Sequence, residues 1–321
     1  MKREAGLPER AGSHAEGSRA SESCTRAQVC VLLATYNGMP WLTEQLDSLS
    51  SQDGVEVSVI VSDDRSTDST LREVSIRLHS GHLKVLPSHP RFGNANRNFM
   101  RLVRDAPIGS AGYVALADQD DIWMRDKLQR AIGVLKSAKA DAYSSDVIAF
   151  WPDGRSKPLG KGSPQRRFDH LFESAGPGCT FVFTRACFLR IRAWVQENYT
   201  ALQEVKVHDW VLYAYVREQR WRWVIDPQPG LRYRQHDRNE LGANVGWRAA
   251  LVRLRQVLSG PYWNDVLKVC EVTGATGQVP ARLRRMSVTD RLWLAMHARD
   301  FRRRLPEALL LSALFLICRR H

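Results

Sequence analysis

The chain reads as an α/β protein built on a doubly wound, mainly parallel sheet, and three observations predict it. Strand-length apolar runs alternate with helix-length amphipathic spans between Val29 and Ala117. Polar or acidic residues follow three of those runs, at 35–37, 63–64 and 118–121, the sheet edge where open α/β proteins form their ligand crevice. The 321 residues, 44% of them apolar, suffice for one large α/β domain or two modest ones.

The elements follow in order. Residues 1–27 are polar and rich in Gly, Ser, Glu and Arg, too poor in apolar surface to offset ordering entropy, so a disordered tail is expected. Val29-Cys-Val-Leu-Leu-Ala34 is a buried-strand run ending in the turn Thr35-Tyr-Asn-Gly38. From Pro40 to Leu49, Trp41, Leu42, Leu46 and Leu49 recur at helical spacing, with Pro40 suited to the first helical turn. Val55 to Val61 forms a second strand, closing on Ser62-Asp-Asp-Arg-Ser-Thr-Asp68. A helix near 67–79, a short strand at Leu83–Leu86 and a helix near 94–104 lead to the strand Tyr113–Ala117, which ends in Asp118-Gln-Asp-Asp121.

The second half is less regular. Gly176 to Thr184 reads as a Gly-rich turn entering a strand. His208-Asp-Trp210 opens a helix through Val216, and two late strands are expected at 221–225 and 231–235. Beyond residue 246 the pattern is helical and basic, ending in the apolar run Ala308–Cys318 between arginine clusters.

Charge and cysteines narrow the function classes. The formal charge is +13, and residues 246–321 hold 14 Lys and Arg against 5 Asp and Glu. Such a surface suits nucleic acid, anionic lipid or phosphorylated substrates, and charge alone does not choose among them. Six scattered cysteines without a CxxC pair indicate reduced thiols, neither a disulfide scaffold nor a zinc site. No apolar stretch reaches the ~20 residues of a membrane span. The N-terminus has no signal-peptide apolar region, so a cytosol-facing protein is expected. GxSxG, HExxH, Walker A and GxGxxG patterns are absent, which removes the signatures of serine hydrolases, zinc proteases, P-loop and dinucleotide-binding proteins.

Three acidic constellations carry candidate chemistry. Asp118, Asp120 and Asp121 repel one another, a cost that a hard divalent cation repays while also bridging nucleotide phosphates. The competing reading is a turn whose Asp121 caps a helix starting at Ile122. Asp63 and Asp64 exceed the needs of a helix cap, which Ser66, Thr67 or Asp68 can supply, and suit recognition of N–H or hydroxyl donors. Asp209, between His208 and Trp210, is either a general base shielded by an aromatic neighbour or a helix cap beside a core Trp.

Six motifs then occur in order: Ala34-Thr-Tyr-Asn-Gly38, Val61-Ser-Asp-Asp-Arg-Ser-Thr-Asp68, Leu116-Ala-Asp-Gln-Asp-Asp-Ile-Trp123, Gly178-Cys-Thr-Phe-Val-Phe-Thr184, His208-Asp-Trp210 and Tyr233-Arg-Gln-His236. The set resembles family 2 inverting glycosyltransferases of the GT-A fold, especially the bacterial rhamnosyltransferase-like branch. It covers about 28–245, with 246–321 as a basic helical C-terminal extension. The resemblance implies that Thr35, Tyr36 and Asn37 line a nucleotide pocket and that Asp63 or Asp64 holds the base. It implies Arg97 near the nucleotide, and Asp118, Asp120 and Asp121 as a DxD motif binding Mg²⁺ or Mn²⁺ with the donor diphosphate. Asp209 is then the catalytic base, and His236 lies near the diphosphate and joins the metal ligands. After His236 the branch usually continues Gly-Asn-Asn, where this chain has Asp237-Arg-Asn239.

The implied reaction moves a sugar, rhamnose from dTDP-rhamnose or a sugar from a UDP-sugar, to a surface-polysaccharide or lipid-linked acceptor. Two rivals from other classes are a sugar-nucleotide nucleotidyltransferase, whose Gly-rich basic loop after the first strand is absent, and a basic nucleic-acid-binding protein. Acidic strand ends repel phosphates without a metal, and no nucleic-acid module is visible, so no nucleic-acid partner is expected. The run 308–318 is too short to span a bilayer. It reads as a core helix or as an anchor on an anionic membrane surface, which would make the protein peripheral on the inner face of the membrane.

Overall fold

In the computed structural model, strand β1 (Ala27–Thr35) is the axis of the molecule, its residues Val29–Leu33 fully buried. The structure describes residues 26–77, 82–160, 162–237 and 261–317. The tail expected over 1–27 lies outside them, except for Arg26 and Ala27, the latter already in β1.

Helix α1 (Leu42–Ser50), β2 (Val55–Asp63), α2 (Thr70–Arg77), β3 (Leu83–Val85), α3 (Ala95–Asp105) and β4 (Tyr113–Ala117) follow as the alternation predicts. β5 (Ile122–Trp123), α4 (Lys127–Ser137), β6 (Ala142–Ser145), β7 (Val147–Phe150), β8 (Ser156–Leu159), β9 (Val182–Thr184), α5 (Arg185–Glu197), α6 (Tyr199–Leu202), α7 (His208–Glu218), β10 (Trp223–Asp226) and β11 (Leu231–Arg234) complete the first 237 residues. The C-terminal part forms α8 (Pro261–Val272), α9 (Gln278–Arg285), α10 (Val288–Met296), α11 (Ala298–Phe301) and α12 (Leu305–Ile317).

The main sheet has the order β10-β6-β9-β4-β1-β2-β3, parallel except for β9, which runs against both neighbours. A strand's side chains alternate between faces, and β1 uses both. Cys30, Leu32 and Ala34 enter one core with Phe99, Phe188 and Leu212, while Val29, Val31 and Leu33 enter another with Leu42, Leu46 and Leu128. Helices therefore cover both faces of the sheet, the doubly wound arrangement that the sequence predicts. A second sheet, β5-β11-β7-β8, carries Tyr233 to the crevice. A third core joins the C-terminal helices to Phe172, Trp210 and Ala214, so they pack directly on the α/β part of the chain.

Two local expectations are corrected. α1 begins at Leu42, because Trp41 and Leu42 donate to Gly38 O at 3.0 and 3.1 Å and Pro40 lies in that preceding turn. Ile122 does not start a helix. Ile122 and Trp123 pair with β11, and Trp123 N donates to Ser48 Oγ at 3.0 Å, so the next helix waits until Lys127 and Asp121 caps nothing.

Candidate active site

A cavity of about 1350 Å³ opens at the ends of β1, β2 and β4, the sheet edge expected from the topology. The loop after β1 is held by Gln119, whose side chain accepts from Tyr36 N at 2.8 Å and donates to Tyr36 O at 2.9 Å. Gly38 permits this clamp: a Cβ there would stand 2.6 Å from Gln119 Oε1. Asn37, at φ 47°, accepts from Thr67 N at 2.8 Å and donates its own N–H to Ser66 Oγ at 2.8 Å. Thr35, Tyr36 and Asn37 all line the cavity.

The acidic pair after β2 divides its labour. Asp63 accepts from Thr35 Oγ1 at 2.9 Å, Ser66 N at 2.8 Å and Ser66 Oγ at 2.6 Å. Those bonds turn its carboxylate into the loop, off the cavity wall. Asp64 lies on the wall and accepts from Phe92 N at 2.5 Å and Gly93 N at 2.8 Å. Arg97, expected near the nucleotide, donates its Nε–H to Gln203 O at 3.1 Å, which ties α3 to the segment before α7, and it is not among the residues that line the cavity. Arg91 lines it instead, its guanidinium 4.2 Å from the Tyr36 ring centroid.

Asp118 and Asp120 line the cavity after β4, and Asp121 is buried behind them. Asp120 Oδ2 lies 2.8 Å from His236 Nε2, and the His236 ring stacks on Trp41 at 3.7 Å. Trp41 thus sets the imidazole beside the carboxylate, a contact between motifs 116 residues apart. One Asp121 oxygen accepts from Arg234 N at 3.2 Å, and its Oδ2 is buried without a hydrogen-bond partner of good geometry among the described residues. Burial, then the Asp120 and Asp118 charges, push the Asp121 carboxyl well above the usual carboxylate range. Ligand atoms of Asp118, Asp121 and Cys179 lie within 4.8 Å of one another. That grouping includes a thiol; Asp118, Asp120 and His236, which line the cavity, are the oxygen and imidazole donor types that suit Mg²⁺ or Mn²⁺. Beside them, burial pulls the Lys127 amine from 10.5 to about 7, over the Trp123 ring at 3.0 Å.

Asp209 faces the same cavity from the first turn of α7, where the helix dipole favours a carboxylate. His208 packs under Phe99 at 4.0 Å, and burial pulls its imidazole from 6.5 to about 3, so it stays neutral. Its Nε2 presses on the turn Gly178–Thr180, where a Cβ on Gly178 would come within 2.3 Å. Trp210 donates its indole N–H to His170 O at 2.9 Å and stacks on Tyr262, a core role beside the cavity.

The far wall comes from residues that the motifs did not single out. Tyr262, Arg302, Arg304 and Glu307 of the C-terminal part line it with Lys206 and Glu173. Arg302 Nη2 donates to Tyr262 Oη at 2.8 Å, and the buried Arg303 donates to Asp169 Oδ2 at 3.1 Å and, through its backbone N–H, to Glu173 Oε1 at 2.8 Å. Cys179, Gln119 and Arg91 were also missed. A buried thiol and two loop side chains have no periodic signature, and only their position next to named motifs hints at them.

The family model described as Glycosyl transferase family 2 matches residues 30–199. The dTDP-rhamnosyl transferase RfbG of Shigella flexneri is 40% identical over 239 residues, covering 74% of this chain and 83% of that protein. The S. aureus TarS fragment 1–349 in complex with UDP superposes with a TM-score of 0.50 at 17% identity, over 85% of this chain and 80% of that one. The mannosyltransferase PcManGT of Pyrobaculum calidifontis, in complex with GDP-Man and Mn²⁺, also gives 0.50 at 17% identity, over 91% and 86%. These two structural likenesses bear on the fold alone. With the family model covering more than half of the chain, the protein belongs to glycosyl transferase family 2, as a rhamnosyltransferase-like enzyme of GT-A-like fold.

Proposed function

We propose that the protein is a metal-dependent, inverting glycosyltransferase that moves rhamnose from dTDP-rhamnose to a cell-surface polysaccharide or lipid-linked glycan acceptor. One observation carries the reading: Asp118 and Asp120, with His236 beside them, share a single cavity with Asp209. The 40% identity to a dTDP-rhamnosyl transferase supports the donor; a UDP-sugar is the alternative.

Thr35, Tyr36, Asn37 and Asp64 form the nucleotide end, with Arg91 on the Tyr36 face. Asp118, Asp120 and His236 hold the diphosphate end, where Asp121 supports them from behind. A divalent cation, held there by these residues, would supply charge neutralisation on the leaving diphosphate. Asp209 accepts the proton of the acceptor hydroxyl. The hydroxyl oxygen forms its bond to the anomeric carbon from the face opposite the nucleotide, the carbon–oxygen bond to the diphosphate breaks, and the configuration inverts. Glu173, Tyr262, Arg302 and Arg304 face the acceptor. The enzyme works on the cytoplasmic side, peripheral to the inner face of the membrane, where lipid-linked acceptors are built.

The test is transfer from dTDP-rhamnose to a lipid-linked acceptor, with the anomeric configuration of the product read by NMR. Inversion supports the reading. Retention of configuration, or transfer from UDP-sugars with none from dTDP-rhamnose, overturns the mechanism or the donor respectively.

A further inference from the structure

Helix α12 reverses the usual pattern of a surface helix. Such a helix turns its polar side outward. Here the exposed residues are Leu305, Pro306, Leu309, Leu310, Ala313, Leu316 and Ile317, all apolar. Its two polar side chains are otherwise engaged: Glu307 lines the cavity, and Ser312 Oγ donates to Ala295 O at 2.9 Å.

That bond joins α12 to α10, and Arg291 of α10 donates to Leu316 O at 3.4 Å. α10 repeats the pattern, with Val288, Leu292 and Met296 exposed at one-turn intervals and Met296 73% open. Of the eleven large hydrophobic residues exposed among the described residues, eight lie on these two packed helices. Scattered surface leucines need no explanation, but a contiguous apolar face does. Its surroundings are basic: Arg284, Arg285, Arg299 and Arg304 are exposed nearby in the chain, within a segment of 14 basic and 5 acidic residues.

We propose that α10 and α12 form one docking face for an anionic lipid bilayer, lying in the membrane plane with their leucines in the headgroup–acyl boundary. Apolar area and basic charge are the two signals that stable, non-spanning attachment takes. Neither helix crosses a bilayer: no described helix is long and apolar enough. The occupant is a lipid surface because the basic residues around the apolar face are the charge complement of anionic headgroups, in a segment of 14 basic and 5 acidic residues. The inference rests on the proposed membrane-side function and deepens it. The chain that carries the exposed leucines also carries Arg302, Arg304 and Glu307 on the cavity's far wall, so docking brings the acceptor end to the bilayer.

The test is flotation of the full chain with vesicles of phosphatidylcholine alone or with one third phosphatidylglycerol, alongside its sedimentation in solution. Binding is expected only to the anionic vesicles, with at least a tenfold loss in L309E/L316E and in V288S/M296S. A melting curve of each variant serves as the fold control, and flotation needs no nucleotide, so a wrong donor or mechanism leaves this readout intact. Equal flotation of wild type and variants would overturn the proposal. So would a wild-type dimer that the same substitutions dissociate, with no flotation on either vesicle.

Discussion

Asp209 sits in the first turn of α7 on the cavity wall, remote in the chain from the loops that form the nucleotide end. Asp209→Asn keeps shape and removes the proton acceptor. Transfer is expected to fall by about 10²–10⁴-fold, the usual worth of a general base, with dTDP affinity in a titration unchanged within about twofold. Lost affinity would move Asp209 out of the base role. Its neighbour His208 gives a pH signature. The unfolded imidazole takes a proton near 6.5, while the folded one waits until about 3. Over that window the unfolded state binds more protons, so stability falls as pH falls. Between pH 7 and 5.5 this amounts to about 1 kcal/mol. Urea midpoints for wild type should drop accordingly over that interval, and His208→Gln should flatten the drop. Identical pH slopes would contradict a half-buried histidine that stays neutral. At this scale the acidic motifs were legible because like charges in a short stretch demand a purpose. Which arginine reaches the cavity was not: Arg91 stands in the loop before α3 and Arg97 in its first turn, and no local pattern says which of the two faces the crevice.

At the scale of elements, the turn Gly178–Thr180 supports α7 from below. Gly178→Ala would put a Cβ 2.3 Å from His208 Nε2. Overpacking of this kind costs about 1–3 kcal/mol, and because His208 precedes Asp209, a loss of activity larger than the loss of stability is expected. A melting curve and a transfer assay on one preparation check both; unchanged activity would show that α7 tolerates the shift. The strands β1 and β4 were readable since each is a near-continuous apolar run, as buried parallel strands tend to be, and β2 since valines alternate with Glu56 and Ser58 before the run Val59-Ile-Val61. β5 was not. Ile122 and Trp123 make a two-residue strand whose only strand partner among the described residues, β11, lies more than a hundred residues away, and two residues carry no period. The same holds for β6, Ala-Tyr-Ser-Ser, buried although half polar. Of the second sheet only β11 was legible, as the late strand expected at 231–235; its pairing with β5, the reason why Asp121 is buried instead of capping a helix, was not.

For the whole molecule, the six ordered motifs were enough to recognise the family, because spacing and order together are specific where any one motif is weak. They stop at His236, and so did the legible part of the site. Tyr262, Arg302 and Arg304 reach the cavity only because the C-terminal helices pack onto Phe172 and Trp210, a long-range contact without a local sign. The expected split into a catalytic part and a basic extension thus understates the extension, which builds one wall of the site. The most direct measurement on the central claim is calorimetric titration of wild type and Asp120→Asn with dTDP, UDP, GDP and CDP, each with and without Mn²⁺. Tight binding of dTDP that needs Mn²⁺, weakened at least tenfold in Asp120→Asn, is the expected result. Binding of equal strength without metal, or equal in the variant, would contradict a metal-held diphosphate at Asp118, Asp120 and His236.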